Sequence, residues 1–400
     1  MPTELPRMRS FVPPPAREDV TEGTVVERVT TYALAVPIPL DVPPADSHAS
    51  TTHWTVPAVE IETKDGLVGT GISGLHLGAD LVVRAIDEYF ARELLGTPVA
   101  DIREVWNRLY WSPLQWIGRA GATHIALAMI DMAVWDLAAR RASLPLWRYL
   151  GGAHSEVATY NTDAGWLNRT IDELLKGIGT ARDDGFTGFK IKVGKPDWRE
   201  DVERIRAVRA FLGDEVDLMC DANKQWELQT AMRVLPYLED AHLAFIEEPL
   251  HPDDVRGHQK LQASTRIPIA LGESLYSRHQ FGQFIQADAC RVVQPDVTRI
   301  GITEYLEVAA EARAAGLAVV PHAGDMGQVH QHVAAASFGR HGALIEYLPW
   351  TAAAFEEPCV VQGGSVILPR APGASTRIRA DARHKWAIPG IGSVLAESTK

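Results

Sequence analysis

FKIKV, residues 189–193, alternates bulky apolar side chains with lysine. A strand sends successive side chains to opposite faces, so Lys190 and Lys192 share one face and Phe189, Ile191 and Val193 the other. Seven more short runs have the same apolar character: VATYN (157–161), VDLMCD (216–221), LAFIEE (243–248), PIALGE (268–273), RVVQPD (291–296), LAVVPH (317–322) and ALIEY (343–347). Stretches of helical period separate them, among them 199–212, 228–238 and 302–315. Buried-type strands alternating with helices are parallel βα units. Eight such units in about 200 residues suit a closed (β/α)8 barrel of the α/β class better than an open sheet. The apolar face of FKIKV then meets the helices, and the two lysines point inward.

The chain around this block reads differently. Residues 1–20, with Pro13-Pro14-Pro15, are expected to form a loose extended arm. Three β-rich segments follow at 24–36, 54–63 and 67–73, the last two joined by a Lys64-Asp65-Gly66 turn. Helical periodicity occupies 79–95, 101–111 and 123–142. The expected organisation is an α+β capping domain over 21–152, the barrel over 153–357, and a tail over 358–400 that returns to the capping domain. Gly69, Gly71 and Gly74 match a dinucleotide-binding spacing, but they follow a hairpin strand instead of opening a βαβ unit. Turn glycines in an antiparallel sheet are the stronger reading.

The formal charge of −12 on 400 residues argues against nucleic acid as a partner. Cys220, Cys290 and Cys359 are widely spaced, which suits a reduced, cytoplasmic compartment. No apolar run approaches the roughly 20 residues of a membrane helix, and the start has no signal-peptide pattern. A soluble protein with no membrane partner is expected.

The ends of the barrel strands carry the chemistry. In order they offer Lys190 and Lys192, Asp221 and Asn223, Glu247, Glu273, Asp296, His322 and Glu346. From Lys192 onward the steps are 29, 26, 26, 23, 26 and 24 residues, one βα unit each. That spacing places all of them on the C-terminal rim, where active sites of such barrels lie. Asp221, Glu247 and Glu273 are hard oxygen ligands on adjacent strands, the donor set that Mg2+ prefers. Each alone reads equally well as a solvated carboxylate at a loop start, but the regular trio does not.

Two ammonium groups on one face lower each other's pKa, and a nearby divalent cation lowers it further, as a lysine general base requires. The alternative is a pair of snorkelling lysines. A carboxylate at Asp296 beside the imidazole of His322 fixes its tautomer and raises its pKa. Among 14 histidines, strand-end placement singles this one out. His330 and His332 belong to the following helix and lack a third zinc ligand. Glu346, if protonated, donates a hydrogen bond to a developing enolate oxygen, and otherwise is one more rim carboxylate. Glu248 neighbours Glu247, so it is expected to point to the other side.

These residues resemble the enolase superfamily, and within it the mandelate racemase subgroup, over about residues 25–386. The motifs are Lys-Ile-Lys-Val-Gly from 190, Asp-Ala-Asn from 221, Ile-Glu-Glu-Pro from 246, Gly-Glu from 272, Gln-Pro-Asp from 294 and His322. The resemblance implies one Mg2+ held by Asp221, Glu247 and Glu273, and proton abstraction beside a substrate carboxylate. It implies Lys192 as the base on one face of the α-carbon and His322, paired with Asp296, on the other. Lys190 would tune Lys192 and bind the carboxylate, which Glu346 polarises.

Tyr-Asn-Thr at 160–162, DANKQW from 221, FIEEPLHPDDVRGH from 245 and the closing RADARHKW look most like acid-sugar dehydratases of the talarate/galactarate or L-fuconate type. Gly301-Ile302 departs from the family's Gly-Gly. A small-molecule sugar acid is the expected partner, and the chain is expected to be a homo-oligomer. Dehydration ranks first, racemisation or epimerisation of a 2-hydroxy acid second, and cycloisomerisation lower. Asn223 and the loop at 41–54, with His48, His53 and Trp54, are the candidates for substrate contact. For the loop, a mobile polar segment is an equal alternative.

Overall fold

The computed structural model describes residues 22–112, 116–337 and 344–397, so the expected N-terminal arm lies outside the described residues. The first sheet joins β1 (Val26–Pro37), β2 (His53–Thr63) and β3 (Val68–Ile72) in antiparallel order. Its three strands fall where the β-branched runs place them. Helix Ala122–Arg141 packs on it. A Cβ on Gly71 would run into the Met129 carbonyl, and one on Gly69 into that of Ala133. The glycine pattern therefore serves close strand–helix packing.

The second sheet contains every one of the eight expected runs. They are β4 (Glu156–Asn161), β5 (Gly188–Lys192), β6 (Asp217–Asp221), β7 (Phe245–Glu247), β8 (Ile269–Leu271), β9 (Val292–Val293), β10 (Ala318–Val319) and β11 (Leu344–Tyr347). Strands β4 to β10 pair in sequence order, all parallel, and the last strand, β11, pairs in parallel with the first, β4. The sheet thus curls until its first and last members meet. Among the described residues no ladder pair joins β10 to β11. Phe189, Ile191 and Val193 are buried against the surrounding helices, as alternation requires.

The tail divides. Strands β12 (Val360–Gln362) and β13 (Ser365–Ile367) form a hairpin that pairs with β4 on the second sheet, contrary to the expectation of a direct return. The edge of β4 that β5 leaves free near Val157 takes up this hairpin. Only beyond it does the chain go back to the first sheet, where β14 (Val394–Ala396) pairs with β1. Asp136 fixes this return: buried in helix Ala122–Arg141, it accepts from Thr70 N at 3.0 Å, Ala374 N at 2.6 Å and Arg140 Nε at 2.8 Å.

The other side of helix Ala122–Arg141 meets helix Val297–Ala314. His124 Nε2 lies 2.9 Å from Glu304 Oε2, and Asp131 accepts from Thr303 N at 2.8 Å. By length and composition alone this 20-residue helix is apolar enough to cross a membrane. Its apolar window is nevertheless 78% buried inside the fold, because it has a sheet on one side and a helix on the other.

Candidate active site

Lys190 and Lys192 end β5, both buried, and between them they reach the carboxylates of the next two strands. Lys192 Nζ donates to Asp221 Oδ2 at 2.5 Å, and Lys190 Nζ to Glu247 Oε2 at 2.7 Å. Lys190 also lies 2.7 Å from Glu346 Oε1, whose second donor is Thr162 Oγ1 at 2.6 Å. Across the rim, His322 Nδ1 is 2.9 Å from Asp296 Oδ2 and its Nε2 3.0 Å from Glu273 Oε2. All eight strand-end groups assigned to metal or acid–base work are therefore brought together.

Charge sorts them. Burial pushes the Glu247 carboxyl up, Asp221 beside it pushes further, and Lys190 only partly compensates, leaving it at about 7. Burial also opposes ionisation of Glu273 and Asp296. For Glu273 the Lys224 ammonium and His322 outweigh it, and for Asp296 hydrogen bonds to His322 and His330 do so, holding both well below the carboxylate range. His322 is the counterpart: burial disfavours its charge, but Glu273 and Asp296 raise it well above an ordinary imidazole.

Two of the expected groups meet opposing charges here. Burial lowers Lys192 and Lys190 opposes its charge, yet Asp221, Glu273 and Glu247 together hold the amine above its ordinary value. The lysine pair is outnumbered by carboxylates, so mutual repulsion does not decide. Against the pull of burial, Lys190 holds Glu346 down to about 2. An ionised carboxylate accepts hydrogen bonds and donates none, so a protonated Glu346 donor is not what these surroundings favour.

Ligand atoms of Glu247, Glu273 and His322 lie within 4.8 Å of one another, the tightest metal-capable group among the described residues. Asp221 stands outside that radius, held by Lys192 and by Asn223 N at 2.9 Å. Oxygen donors from three adjacent strands still converge, and Glu247 Oε1 is buried without a hydrogen-bond partner among the described residues. Like-charged carboxylates with an unclaimed oxygen fit a hard divalent cation.

The substrate candidates separate. Asn223 braces Asp221, and its carbonyl meets His48 Nε2, so the loop at 41–54 does reach the rim. Trp54 is buried, edge-on to His76 at 4.5 Å and to Trp350 at 5.4 Å. Trp350 stacks near Trp166 at 5.1 Å, and Trp166 faces Lys192 Nζ at 5.4 Å. His53 is not brought in. It is exposed and bonded to Thr52 Oγ1, because neighbours on β2 point to opposite faces and Trp54 takes the inner one.

Sequence reasoning passed over four groups. Gln294 Nε2 donates to Glu247 Oε2 at 2.9 Å. His330 Nε2 lies 2.9 Å from Val297 N and 3.2 Å from Asp296 Oδ1. Lys224 Nζ donates to Glu273 Oε1 at 2.7 Å and sits 2.9 Å from Glu248 Oε2. Glu248 is therefore turned toward the site's edge and buried, not to the opposite side. Its φ of 39° ends the strand geometry on which alternation depends. Gln294 and Lys224 did lie within quoted motifs, which was the available signal.

Comparison with known proteins gives a consistent picture. Residues 28–151 match the N-terminal domain model of mandelate racemase / muconate lactonizing enzyme, and 173–382 the enolase C-terminal domain-like model. The L-talarate/galactarate dehydratase of Salmonella typhimurium is 35% identical, covering 87% of this chain and 88% of that protein. The 3,6-anhydro-alpha-L-galactonate cycloisomerase of Streptomyces coelicolor is 32% identical, covering 87% and 96%. The crystal structure of L-talarate dehydratase from Polaromonas sp. JS666, complexed with Mg and L-glucarate, superposes with a TM-score of 0.86 at 33% identity, covering 93% of this chain and 99% of that one.

Proposed function

The chain belongs to the mandelate racemase / muconate lactonizing enzyme family of the enolase superfamily, and we propose that it is a Mg2+-dependent dehydratase of an acid sugar. It is a carbon–oxygen lyase that converts an aldonate or aldarate to a 2-keto-3-deoxy acid. Residues 21–152 act as the cap, 153–357 as a closed (β/α)8 barrel, and 358–400 as a tail that adds the β12–β13 hairpin to β4 before it returns to the cap. The observation that carries the reading is the placing of Lys192 and His322 at the second and seventh parallel strands. Between them stand the carboxylates of the third, fourth and fifth.

Asp221, Glu247 and Glu273 hold the ion. When bound, Mg2+ supplies Lewis acidity toward the substrate carboxylate and cancels part of the negative charge that keeps Lys192 protonated. Lys190, anchored by Glu247 and Glu346, stays charged and binds the same carboxylate. Lys192 takes the C2 proton as a neutral amine. The C–H electron pair becomes the C2–C3 double bond while the C3–O bond breaks. His322, kept charged by Asp296, delivers its Nε2 proton to the departing hydroxyl, which leaves as water. The enol tautomerises to the 2-keto acid, and solvent resets both groups. Trp54, Trp166 and Trp350 wall the site beside Lys192 and exclude water.

Incubation with Mg2+ and a library of aldonates and aldarates in D2O tests this. A 2-keto acid from at least one compound is expected, and Lys192→Ala and His322→Asn should each lower its formation by about 10³-fold. Neither keto acid nor C2 deuterium from any compound, with metal demonstrably bound, would overturn the proposal. Deuterium at C2 with the 3-hydroxyl retained would instead identify a racemase or epimerase working with the same two bases.

A further inference from the structure

We propose that Lys224 is a built-in cation that sets the site's affinity for its divalent ion by competing for Glu273. The inference rests on the reading that Asp221, Glu247 and Glu273 hold that ion. In the structure each of these carboxylates has its own lysine: Lys192 on Asp221, Lys190 on Glu247 and Lys224 on Glu273. The first two have work in the reaction. The third has none, yet it is placed as firmly as they are.

Its backbone shows how. Beyond β6 the chain turns through Asn223 and Lys224, with φ of 42° and 64°, conformations that side-chain-bearing residues rarely adopt. Such turns persist only where the surroundings hold them. Here Lys224 N donates to Glu248 O at 2.7 Å, with Ala222 N on Glu247 O at 3.0 Å and Trp226 N on Pro249 O at 3.1 Å on either side. The turn is thereby stitched to the end of β7. From it Nζ reaches Glu273 Oε1 at 2.7 Å, Ser274 Oγ at 3.2 Å and Glu248 Oε2 at 2.9 Å. The Glu248 carboxyl is buried, so Lys224 Nζ is enclosed between it and Glu273.

An ammonium this close to a ligand oxygen repels a divalent ion at the same carboxylate, in a setting where charges are poorly screened. It also neutralises Glu273 when no ion is bound. Lys224 therefore stabilises the metal-free protein and weakens metal binding, keeping the ion exchangeable.

The test is Mg2+ titration calorimetry, with thermal unfolding in EDTA and in Mg2+. It compares the full chain with Lys224→Met, Lys224→Gln, Lys224→Arg and, as control, Glu247→Gln. The neutral variants should bind Mg2+ about tenfold or more tightly, melt lower in EDTA, and gain more from Mg2+. Lys224→Arg should stay near the parent. Unchanged or weaker binding in a neutral variant that is folded by circular dichroism overturns the proposal. Should the parent itself bind no Mg2+, or Glu247→Gln bind it equally well, the metal reading falls and this inference with it.

Discussion

Asp131 offers a test of the seam between the first sheet's helix and the site. It is buried, and accepts from Thr303 N at 2.8 Å and Thr303 Oγ1 at 2.5 Å. Helix Val297–Ala314 is interrupted at Gly301 (φ 74°), so its second segment starts at Ile302 with unpaired amides aimed at this carboxylate. Burial, the largest influence, raises the Asp131 carboxyl from 3.8 to about 7, and the Thr303 and Ile302 donors only partly oppose it. A carboxyl raised by folding binds its proton more tightly in the native state, so stability is lost as pH rises through that window. At 1.36 kcal/mol per pH unit the full loss is about 4 kcal/mol, of which about 3 falls between pH 5 and 8.

Asp131→Asn removes the charge and keeps the shape. The amide oxygen takes the Thr303 N–H, and the amide nitrogen donates to Thr303 Oγ1, which also accepts from Trp135 Nε1 at 3.0 Å. Near pH 5 the variant should lie within about 1 kcal/mol of the parent. By pH 8 it should stand higher, the gap having moved by about 3 kcal/mol in its favour. Urea unfolding followed by circular dichroism at both pH values measures this. Parallel pH profiles for the two proteins would refute the reasoning, because Asp131 would then be ionised throughout and its helix-end donors would outweigh burial.

Other outcomes follow from contacts elsewhere. Gly71→Ala forces a methyl into the Met129 carbonyl and should cost about 3 kcal/mol or more. A urea midpoint equal to the parent's would contradict the packing argument. Asp136→Ala strands two buried amides and the Arg140 guanidinium, for a loss of about 3–5 kcal/mol. Limited proteolysis should then cut first beyond Leu368. Asp296→Asn takes the charged partner from His322 and should lower kcat by about 10²-fold or more with little change in KM; an unchanged kcat would remove His322 as the acid.

The reach of the sequence follows the physics of strands. All eight parallel strands were legible, because a strand buried on both faces must be a short apolar run, and little else looks like that. The rim groups were legible for the same reason: each stands where an apolar run stops. The hairpin β12–β13 was misassigned, since nothing in its own residues shows that β4 has an edge to fill. His53 failed for want of alternation, as its neighbour Trp54 already claims the inner face.

Lys224 and Glu248 mark the limit more sharply. Both follow a strand end by one to three residues, where φ turns positive and period-two reasoning lapses. Charge was illegible from sequence in a related way. Two lysines on one face predict a lowered pKa, but that holds only if fewer carboxylates than ammonium groups lie within reach. Here Lys192 feels Asp221, Glu273 and Glu247 against one Lys190. The identity of a base can thus be read from its position on a strand, whereas its protonation depends on the sum of neighbours brought from three other strands. In this site that sum is negative until a cation arrives, which ties the competence of Lys192 to the same carboxylates that Lys224 contests.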